Sequence, residues 1–376
     1  MPRITLSFIF LLLSFATVFS QESTKGKHHP STLSKAFYHP DAKLNKMVDS
    51  VYNAMSLQER ASQMIMTASS TAVNLGYPFN SALNMVSKDI AANVVFLKGS
   101  STDFRKEANQ FNTTRLQQHK LQPLLACDCE PTLLPGKFTD ITDIAPASEQ
   151  KTTQVVIENT NKINKVIEEV GIQLNFAPVV DIALNKSVIN KRSFGNNNKD
   201  IITFSGQFVE TTQQAGLGAT LKHFPGHGAV SGDSHKQSVY IDGALTELPN
   251  FKALILADEP PIAVMVGHIV VKNNEKYNTN GLPSTLSRVI VTDLLRKELH
   301  FEGIITTDAL NMVAAAKVSN ADWKSVEAGV DLVLMPKNAV LLNKMIADAL
   351  SKKDAMSKQL EASVKRIIRF KLLTQQ

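Results

Sequence analysis

The chain has 376 residues, of which 43% are hydrophobic and 20% are charged, values that are ordinary for globular proteins. Its formal net charge at pH 7 is +6, from 40 basic and 34 acidic side chains. Because the basic residues are scattered among acidic ones and form no block, the composition argues against a nucleic-acid-binding protein and predicts a mildly basic, solvated surface.

The first 20 residues have the pattern of a signal peptide. Arg3 provides a short positive region, residues 4–19 are apolar apart from Ser and Thr, and the predicted cut precedes Gln21. The apolar run is shorter than the roughly 20 residues of a membrane-spanning helix, so an uncleaved anchor is the weaker alternative. We expect an exported protein, periplasmic or extracellular, with no stable membrane span. Residues 21–40 are expected to form a disordered leader before a single domain over residues 41–376.

Short β-branched runs alternate with longer amphipathic stretches along the rest of the chain. Eight runs predict strands, at residues 62–67, 93–98, 123–128, 173–181, 219–224, 262–270, 303–308 and 332–335. The helical patterns include residues 148–170, 200–215, 286–299, 340–350 and 355–372, and a capping box at Ser56 and Glu59 marks the start of an earlier helix. This alternation predicts an α/β fold, a (β/α)8 TIM-like barrel, whereas the Gly-rich turn that opens many doubly wound sheets is missing.

The two cysteines, Cys127 and Cys129, stand two residues apart at the end of the third predicted strand. Residues at this spacing on a strand have poor geometry for a disulfide, so we predict free or weakly coupled thiols. A single pair of cysteines also argues against a zinc knuckle.

Ionisable residues occur at the ends of five of the eight predicted strands. They are Asp128, Asp181, Lys222 with His223, His268 and Asp308. In a (β/α)8 barrel the active site lies at the carboxyl ends of the strands. The sequence therefore predicts an active site at this end of the barrel.

The loop after the fifth predicted strand contains a second ionisable group, Asp233-Ser-His235. An aspartate two residues before a histidine can fix the tautomer of the imidazole and support its protonated form. Such a histidine can act as an acid and then as a base near neutral pH. Asp308 is the candidate nucleophile for a glycosyl transfer, and helix capping is the alternative interpretation of this residue.

Several motifs, in order along the chain, resemble glycoside hydrolase family 3, in its β-N-acetylhexosaminidase (β-N-acetylglucosaminidase) branch. The segments are residues 175–181 (NFAPVVD), 192–195 (RSFG), 222–228 (KHFPGHG) with 233–235 (DSH), 265–268 (MVGH), 283–287 (PSTLS) and 307–312 (TDALNM). The resemblance extends from about Leu57 to the C-terminus.

This resemblance implies a retaining hydrolase that removes a terminal non-reducing β-N-acetylhexosamine, GlcNAc, through a covalent glycosyl-aspartate. The residue that matches the family's nucleophile is Asp308, and the acid/base is His235 oriented by Asp233. The residues that match its sugar-binding groups are Asp128, Arg192, Lys222 and His223, with supporting roles for Asp181 and His268. No cofactor or metal is implied. The expected partner is a carbohydrate, a GlcNAc-containing glycan or peptidoglycan fragment, and we expect a monomer.

Two further expectations concern the loops. Gly226, Gly228 and Gly232 are natural hinges for a loop that would close over the bound sugar. The family usually has two glycines and a following arginine after the Asp-x-Glu of the third strand, whereas this chain has Pro131-Thr132 and no nearby arginine. Lys137 is a candidate replacement for the missing cation.

Three alternatives remain open from the sequence. The residues His223, His227, Asp233 and His235 include zinc-type ligands, although neighbouring Lys222 and Arg192 disfavour a metal ion. The altered loop after the third strand is compatible with a catalytically impaired sugar-binding barrel. The histidine acid/base also allows phosphorylase-type transfer of the sugar to phosphate.

Overall fold

The computed structural model describes residues 30–230, 232–234 and 236–375. Its strands are β1 Ile65–Ser69, β2 Asn93–Phe96, β3 Leu124–Cys127, β4 Leu174–Asn175, β5 Gly218–Phe224, β6 Val239–Asp242, β7 Ala263–Val266, β8 Ile269–Lys272, β9 Ile304–Thr307 and β10 Val333–Leu334. Its α-helices are α1 Thr32–Tyr38, α2 Ala42–Ala54, α3 Leu57–Gln63, α4 Phe79–Ser87, α5 Ser101–Gln117, α6 Leu134–Lys137, α7 Thr153–Val170, α8 Asn198–Gln214, α9 Leu248–Ile255, α10 Val313–Ala316, α11 Ala321–Ala328, α12 Ala339–Ser351 and α13 Ala355–Thr374. Residues Val289–Glu298 form a π-helix.

Eight parallel strands form the central sheet, in the order β10-β1-β2-β3-β4-β5-β7-β9. The two end strands approach each other through a parallel bridge between Thr306 and Leu332, so the sheet is nearly closed. Each of the eight predicted runs overlaps one of these strands. The predicted (β/α)8 barrel is confirmed, as is the capping box of Ser56 and Glu59 at the start of α3.

Alternation along the strands separates two apolar layers, because successive side chains of a strand point to opposite faces. Met66 in β1, Val95 in β2 and Ala126 in β3 belong to one buried cluster, which fills the barrel. Their neighbours Val94 and Leu125 belong to a second cluster, which packs beneath the surrounding helices. Burial on both faces explains why the strands read as continuous apolar runs in the sequence.

The predicted strand over residues 262–270 is divided in the structure. Strand β7 ends at Val266, and the chain leaves the barrel at Gly267, whose N–H donates to the carbonyl of Phe224 at 2.8 Å. Strand β8 then pairs with β6 in a separate two-stranded parallel sheet at the rim. A continuous apolar run could not indicate this change of partner, because both halves of the run are buried.

The N-terminal region differs from the expectation of a disordered leader over residues 21–40. Within the described part, Thr32–Tyr38 forms α1, with Ser31 as its N-cap and Phe37 fully buried. The apolar contacts of Phe37 explain why this segment is ordered. The predicted signal peptide, residues 1–20, lies outside the described residues. Across the residues that are described, no helix has the length and apolar character needed to cross a membrane.

Candidate active site

A small polar cavity of about 120 Å³ lies at the carboxyl ends of the barrel strands. Its lining residues are Asp128, Leu133, Lys137, Val188, Arg192, Lys222, His223, His227, Ser234, Met265 and Asp308. Five of the sequence-predicted residues therefore meet in one cavity, and they come from the end of β5 and from the segments that follow β3, β4 and β9. The barrel brings them together because parallel strands end at the same rim.

Asp128, the first residue after β3, binds two ammonium groups. Its Oδ1 lies 2.8 Å from Nζ of Lys222, and its Oδ2 lies 2.8 Å from Nζ of Lys137. Burial opposes ionisation of this carboxyl group, but the two cations outweigh burial and hold the pKa of Asp128 well below its usual range. Lys137, the candidate replacement for the arginine that this chain lacks, therefore supplies a cation next to Asp128.

Asp128 is flanked by a disulfide between Cys127 and Cys129. The prediction of free or weakly coupled thiols is therefore wrong. The Cα atoms of the two cysteines are 5.3 Å apart, within the range that a disulfide spans. The strand ends at Cys127, so Cys129 lies on irregular backbone, where the argument from regular strand geometry no longer holds.

The carboxylate of Glu130 binds two cationic side chains of the site, Lys222 and Arg192. Its Oε1 lies 2.7 Å from Nζ of Lys222 and 2.7 Å from Nη2 of Arg192, and its Oε2 accepts from Nε of Arg192 at 2.9 Å. Burial raises the pKa of Glu130, but the guanidinium of Arg192 and the ammonium of Lys222 outweigh burial and lower it to about 2. Glu130 was not among the residues predicted for the site. Its place in the Asp-x-Glu pattern with Asp128 was a signal that could have identified it.

His223 is held from behind by Asp181. The carboxylate of Asp181 accepts from Nδ1 of His223 at 2.6 Å, and it also accepts the backbone N–H groups of His223 and His227. Burial opposes ionisation of Asp181, but the neighbouring His223 lowers its pKa. The Nε2 atom of His223 lies 3.4 Å from Nη2 of Arg192. Asp181, which is fully buried, supports a residue of the cavity and does not line the cavity itself.

Asp308 follows β9 directly, and its side chain lines the cavity. Its N–H donates to the carbonyl of Val266 at 2.9 Å, and its Oδ1 accepts from the N–H of Ala309 at 2.8 Å. The alternative in which Asp308 caps a helix does not fit this structure, because the next helix, α10, begins only after Met312. The carboxylate of Asp308 thus accepts one backbone hydrogen bond, and the backbone of Asp308 is bonded to the end of β7.

His268 lies behind the segment that follows Asp308. Its Nε2 donates to the carbonyl of Ala309 at 2.9 Å, and its Nδ1 accepts from the hydroxyl of Thr285 at 2.8 Å, an assignment that follows from the carbonyl partner. His268 is fully buried and does not line the cavity. Like Asp181, it does not face the cavity but bonds to the chain next to a residue that does.

The loop between β5 and β6, residues 225–238, is named the histidine loop here. His235 lies outside the described residues. Asp233 is partly buried, and its Oδ2 lies 3.8 Å from Nζ of Lys236. Ser234 lines the cavity. The hydroxyl of Ser234 is 3.1 Å from Nε2 of His227, and its carbonyl accepts from the N–H of Ala314 at 3.3 Å. The loop therefore contacts the segment that follows Asp308.

Glu247, just before α9, lies under the first part of the histidine loop and is 2% exposed. Burial and then the charge of Asp181 raise the pKa of Glu247 to about 8. A Cβ added at Gly228 would lie 1.9 Å from the carbonyl oxygen of Ile182, and one at Gly226 would lie 2.6 Å from Cβ of Glu247. These two glycines permit close packing, which differs from the free hinge that the sequence predicted.

The charges around the cavity bear on the metal alternative. Within the described ranges, which omit His235, no group of three or more His, Cys, Asp or Glu side chains is arranged to hold a metal ion. The lining contains the cations Lys137, Arg192 and Lys222, whose field disfavours another cation. His227 both bonds within the histidine loop and lines the cavity.

The chain is similar to known proteins over most of its length. Residues 45–370 match the family described as Glycosyl hydrolase family 3 N terminal domain. Beta-hexosaminidase A of Pseudoalteromonas piscicida is 34% identical over 234 residues, which are 56% of this chain and 39% of that protein. Beta-hexosaminidase of Haemophilus influenzae is 34% identical over 172 residues, 44% of this chain and 47% of that protein.

The fold has close structural counterparts. The structure of a glycoside hydrolase family 3 beta-N-acetylglucosaminidase from Paenibacillus sp. str. FPU-7 superposes with a TM-score of 0.74 and 24% identity, covering 86% of this chain and 63% of that one. The chain thus spans less than two thirds of each of these three proteins. Because the family match covers residues 45–370, well over half of the sequence, the chain belongs to glycosyl hydrolase family 3.

Proposed function

We propose that this protein is a retaining β-N-acetylhexosaminidase that releases terminal non-reducing GlcNAc. The observation that carries the proposal is the convergence of Asp308 with Asp128, Arg192, Lys222 and His223 on one small polar cavity at the rim of the barrel. A carboxylate facing a set of ion-paired, hydrogen-bonding side chains suits attack on a sugar that is held by its hydroxyl groups. The names of the two similar beta-hexosaminidases support the same sugar class.

In this proposal Asp308 is the nucleophile. One carboxylate oxygen attacks the anomeric carbon, the bond to the leaving oxygen breaks, and a glycosyl ester with Asp308 forms. Water then attacks the same carbon from the opposite side and regenerates the carboxylate. Backbone contacts to Ala309 and Val266 orient the group for this displacement.

The proposed acid/base is His235, with Asp233 as its orienting partner. In the first step His235 donates a proton to the leaving oxygen, and in the second it takes a proton from the attacking water. The contact of Ser234 with Ala314, in the segment beyond Asp308, supports a role of the histidine loop close to the proposed nucleophile. We also propose that the protein is exported and acts as a monomer on a GlcNAc-containing glycan or peptidoglycan fragment.

The test compares Asp308→Ala and His235→Ala with the wild type. Asp308→Ala should abolish turnover while circular dichroism shows an intact fold. His235→Ala should lower kcat/KM on N,N′-diacetylchitobiose by about 10²- to 10⁴-fold, and far less on para-nitrophenyl β-GlcNAc, whose leaving group needs little protonation. Equal losses on both substrates would show that His235 is not the acid.

The same assays separate the two other functions that the sequence allowed. No turnover by the wild type on aryl glycosides with or without the 2-acetamido group would favour a sugar-binding barrel. Formation of a glycosyl phosphate when phosphate is added would favour phosphorolysis. The proposal predicts that GlcNAc is the product with and without added phosphate. It also predicts faster turnover of the aryl glycosides that carry the 2-acetamido group.

A further inference from the structure

Glu247 is a buried carboxyl group near the site to which the proposed mechanism gives no role. Its Oε2 accepts the N–H of Ile182 at 2.7 Å, and its Oε1 accepts the N–H groups of Gly228 and Ala229, each at 2.9 Å. These donors belong to two different loops, the one after β4 and the histidine loop. Glu247 itself precedes α9, so one side chain joins three segments of the chain.

Asp181 completes this arrangement from the other side. Its carboxylate accepts the N–H groups of His223 and His227, so the two carboxyl groups together bind backbone donors at both ends of the turn over residues 223–229. Gly226 and Gly228 let the turn approach Glu247 closely enough for these contacts. The two carboxyl groups thereby fix the beginning of the histidine loop.

We propose that Glu247 is a positioning residue for the acid/base of this enzyme: its carboxylate fixes the base of the histidine loop and so determines where His235 lies relative to the substrate. This inference rests on the proposed function, because it assigns Glu247 an effect through His235. Both oxygens of the side chain accept N–H groups, as the ionised carboxylate does above its pKa of about 8. Unlike this ionised form, an amide has only one acceptor oxygen and would turn an NH₂ donor toward a backbone donor.

The experiment is carried out at pH 8.5, above the pKa of about 8 of Glu247, and measures how the effect of Glu247→Gln depends on the leaving group. A misplaced acid impairs only substrates that need protonation, so kcat/KM on N,N′-diacetylchitobiose should fall by about 100-fold, while kcat/KM on para-nitrophenyl β-GlcNAc should stay near the wild-type value. A general loss of folded enzyme would lower both values by the same factor. The split between the two substrates therefore distinguishes positioning from a merely structural role.

Two variants accompany this measurement. Asp258→Asn removes an exposed carboxylate just beyond the other end of α9 and should leave both substrates unaffected. Glu247→Asp keeps the charge but shortens the side chain, and it should show the same split with a smaller loss, which keeps the test possible if Glu247→Gln does not fold.

The outcomes of the two proposals can be told apart. If His235→Ala shows the split and the Glu247 variants show no loss or equal losses on both substrates, the role of Glu247 is wrong and the proposed function stands. If His235→Ala itself shows no split, the acid assignment fails and the inference about Glu247 fails with it.

Discussion

Glu130 shows how a fully buried charge can be maintained in this site. Its side chain has no exposed surface, yet it contacts the ammonium of Lys222, which is almost completely buried, and the guanidinium of Arg192, which is partly buried. Each charge would be costly to bury alone, and the group is tolerated because opposite charges and hydrogen bonds compensate for lost water. Under the proposed function, these contacts hold Lys222 and Arg192 in place before a sugar binds.

The pH dependence of stability should reflect this group. The folded-state pKa of Glu130, about 2, is below its ordinary value of 4.5, so the folded state gains stability above pH 4.5 and loses it as the pH falls toward 2. Glu130→Gln removes this titration and leaves the buried Lys222 and the partly buried Arg192 short of a partner, which should lower the free energy of unfolding at neutral pH by about 3–5 kcal/mol.

Urea unfolding of both proteins from neutral pH down to pH 2 measures this effect. The difference between wild type and variant should shrink in the acid range, because the wild type loses its ion pairs there. Glu275→Gln, at an exposed carboxylate, is the control. A difference that stays constant over the whole range would contradict the ionised state of Glu130.

The element after β3 explains how the chain departs from its family pattern and still builds the site. Pro131 and Thr132 replace two glycines, and the hydroxyl of Thr132 donates to the carbonyl of Lys191 at 2.7 Å, next to Arg192. The chain then forms the short helix α6, whose last residue is Lys137. The N–H of Gly99 donates to the carbonyl of Lys137 at 3.0 Å and anchors the end of this helix.

This placement predicts that Lys137 contributes to substrate binding. Lys137→Met removes one of the two cations from Asp128, and a hydrogen bond to a charged group is worth about 1.5–3 kcal/mol. We expect KM for GlcNAc substrates to rise by about 10- to 100-fold while kcat changes little. Lys137→Arg should retain most of the affinity, because it keeps the charge.

Steady-state kinetics with para-nitrophenyl β-GlcNAc measures this prediction. The control is Lys186→Met, which removes an exposed lysine from the loop after β4. An unchanged KM for Lys137→Met would show that Lys222 alone is sufficient to hold Asp128.

At the same scale, some contacts could be predicted from the sequence and others could not. Strand ends and a His-Asp pair are local signals, so the positions of Asp308 and Lys222 at the rim were predictable. Glu247 is bonded to residues 18 to 65 positions away, and nothing in its own neighbourhood marks it. The rim sheet of β6 and β8 was hidden because its second strand continues an apolar run.

At the scale of the whole molecule, one end of the barrel carries the candidate active site and the other end is covered by α1. The rim at the carboxyl ends carries the cavity, while α1 packs near the opposite end, where the hydroxyl of Tyr38 donates to the carbonyl of Pro261, shortly before β7. Ser31 also bonds to Glu259 in the same connection. The strand count was predictable because buried parallel strands are apolar. This cover was not, because α1 is only seven residues long and stands in a polar segment.

This division of the barrel predicts that stability and activity can be separated at Phe37. Its ring is fully buried, belongs to the cluster that fills the barrel, and contacts Phe370 at 6.2 Å between ring centroids. Phe37→Ala should lower the free energy of unfolding by about 3–5 kcal/mol because it leaves a cavity in a closely packed interior. Since the active-site cavity lies at the other end, kcat/KM below the melting temperature should stay at the wild-type value. Thermal unfolding and kinetics measure the two effects, with Val73→Ala at a 93% exposed position as the control. A loss of activity equal to the loss of stability would mean that α1 influences the rim, whereas an unchanged Tm would mean that α1 does not cover the barrel.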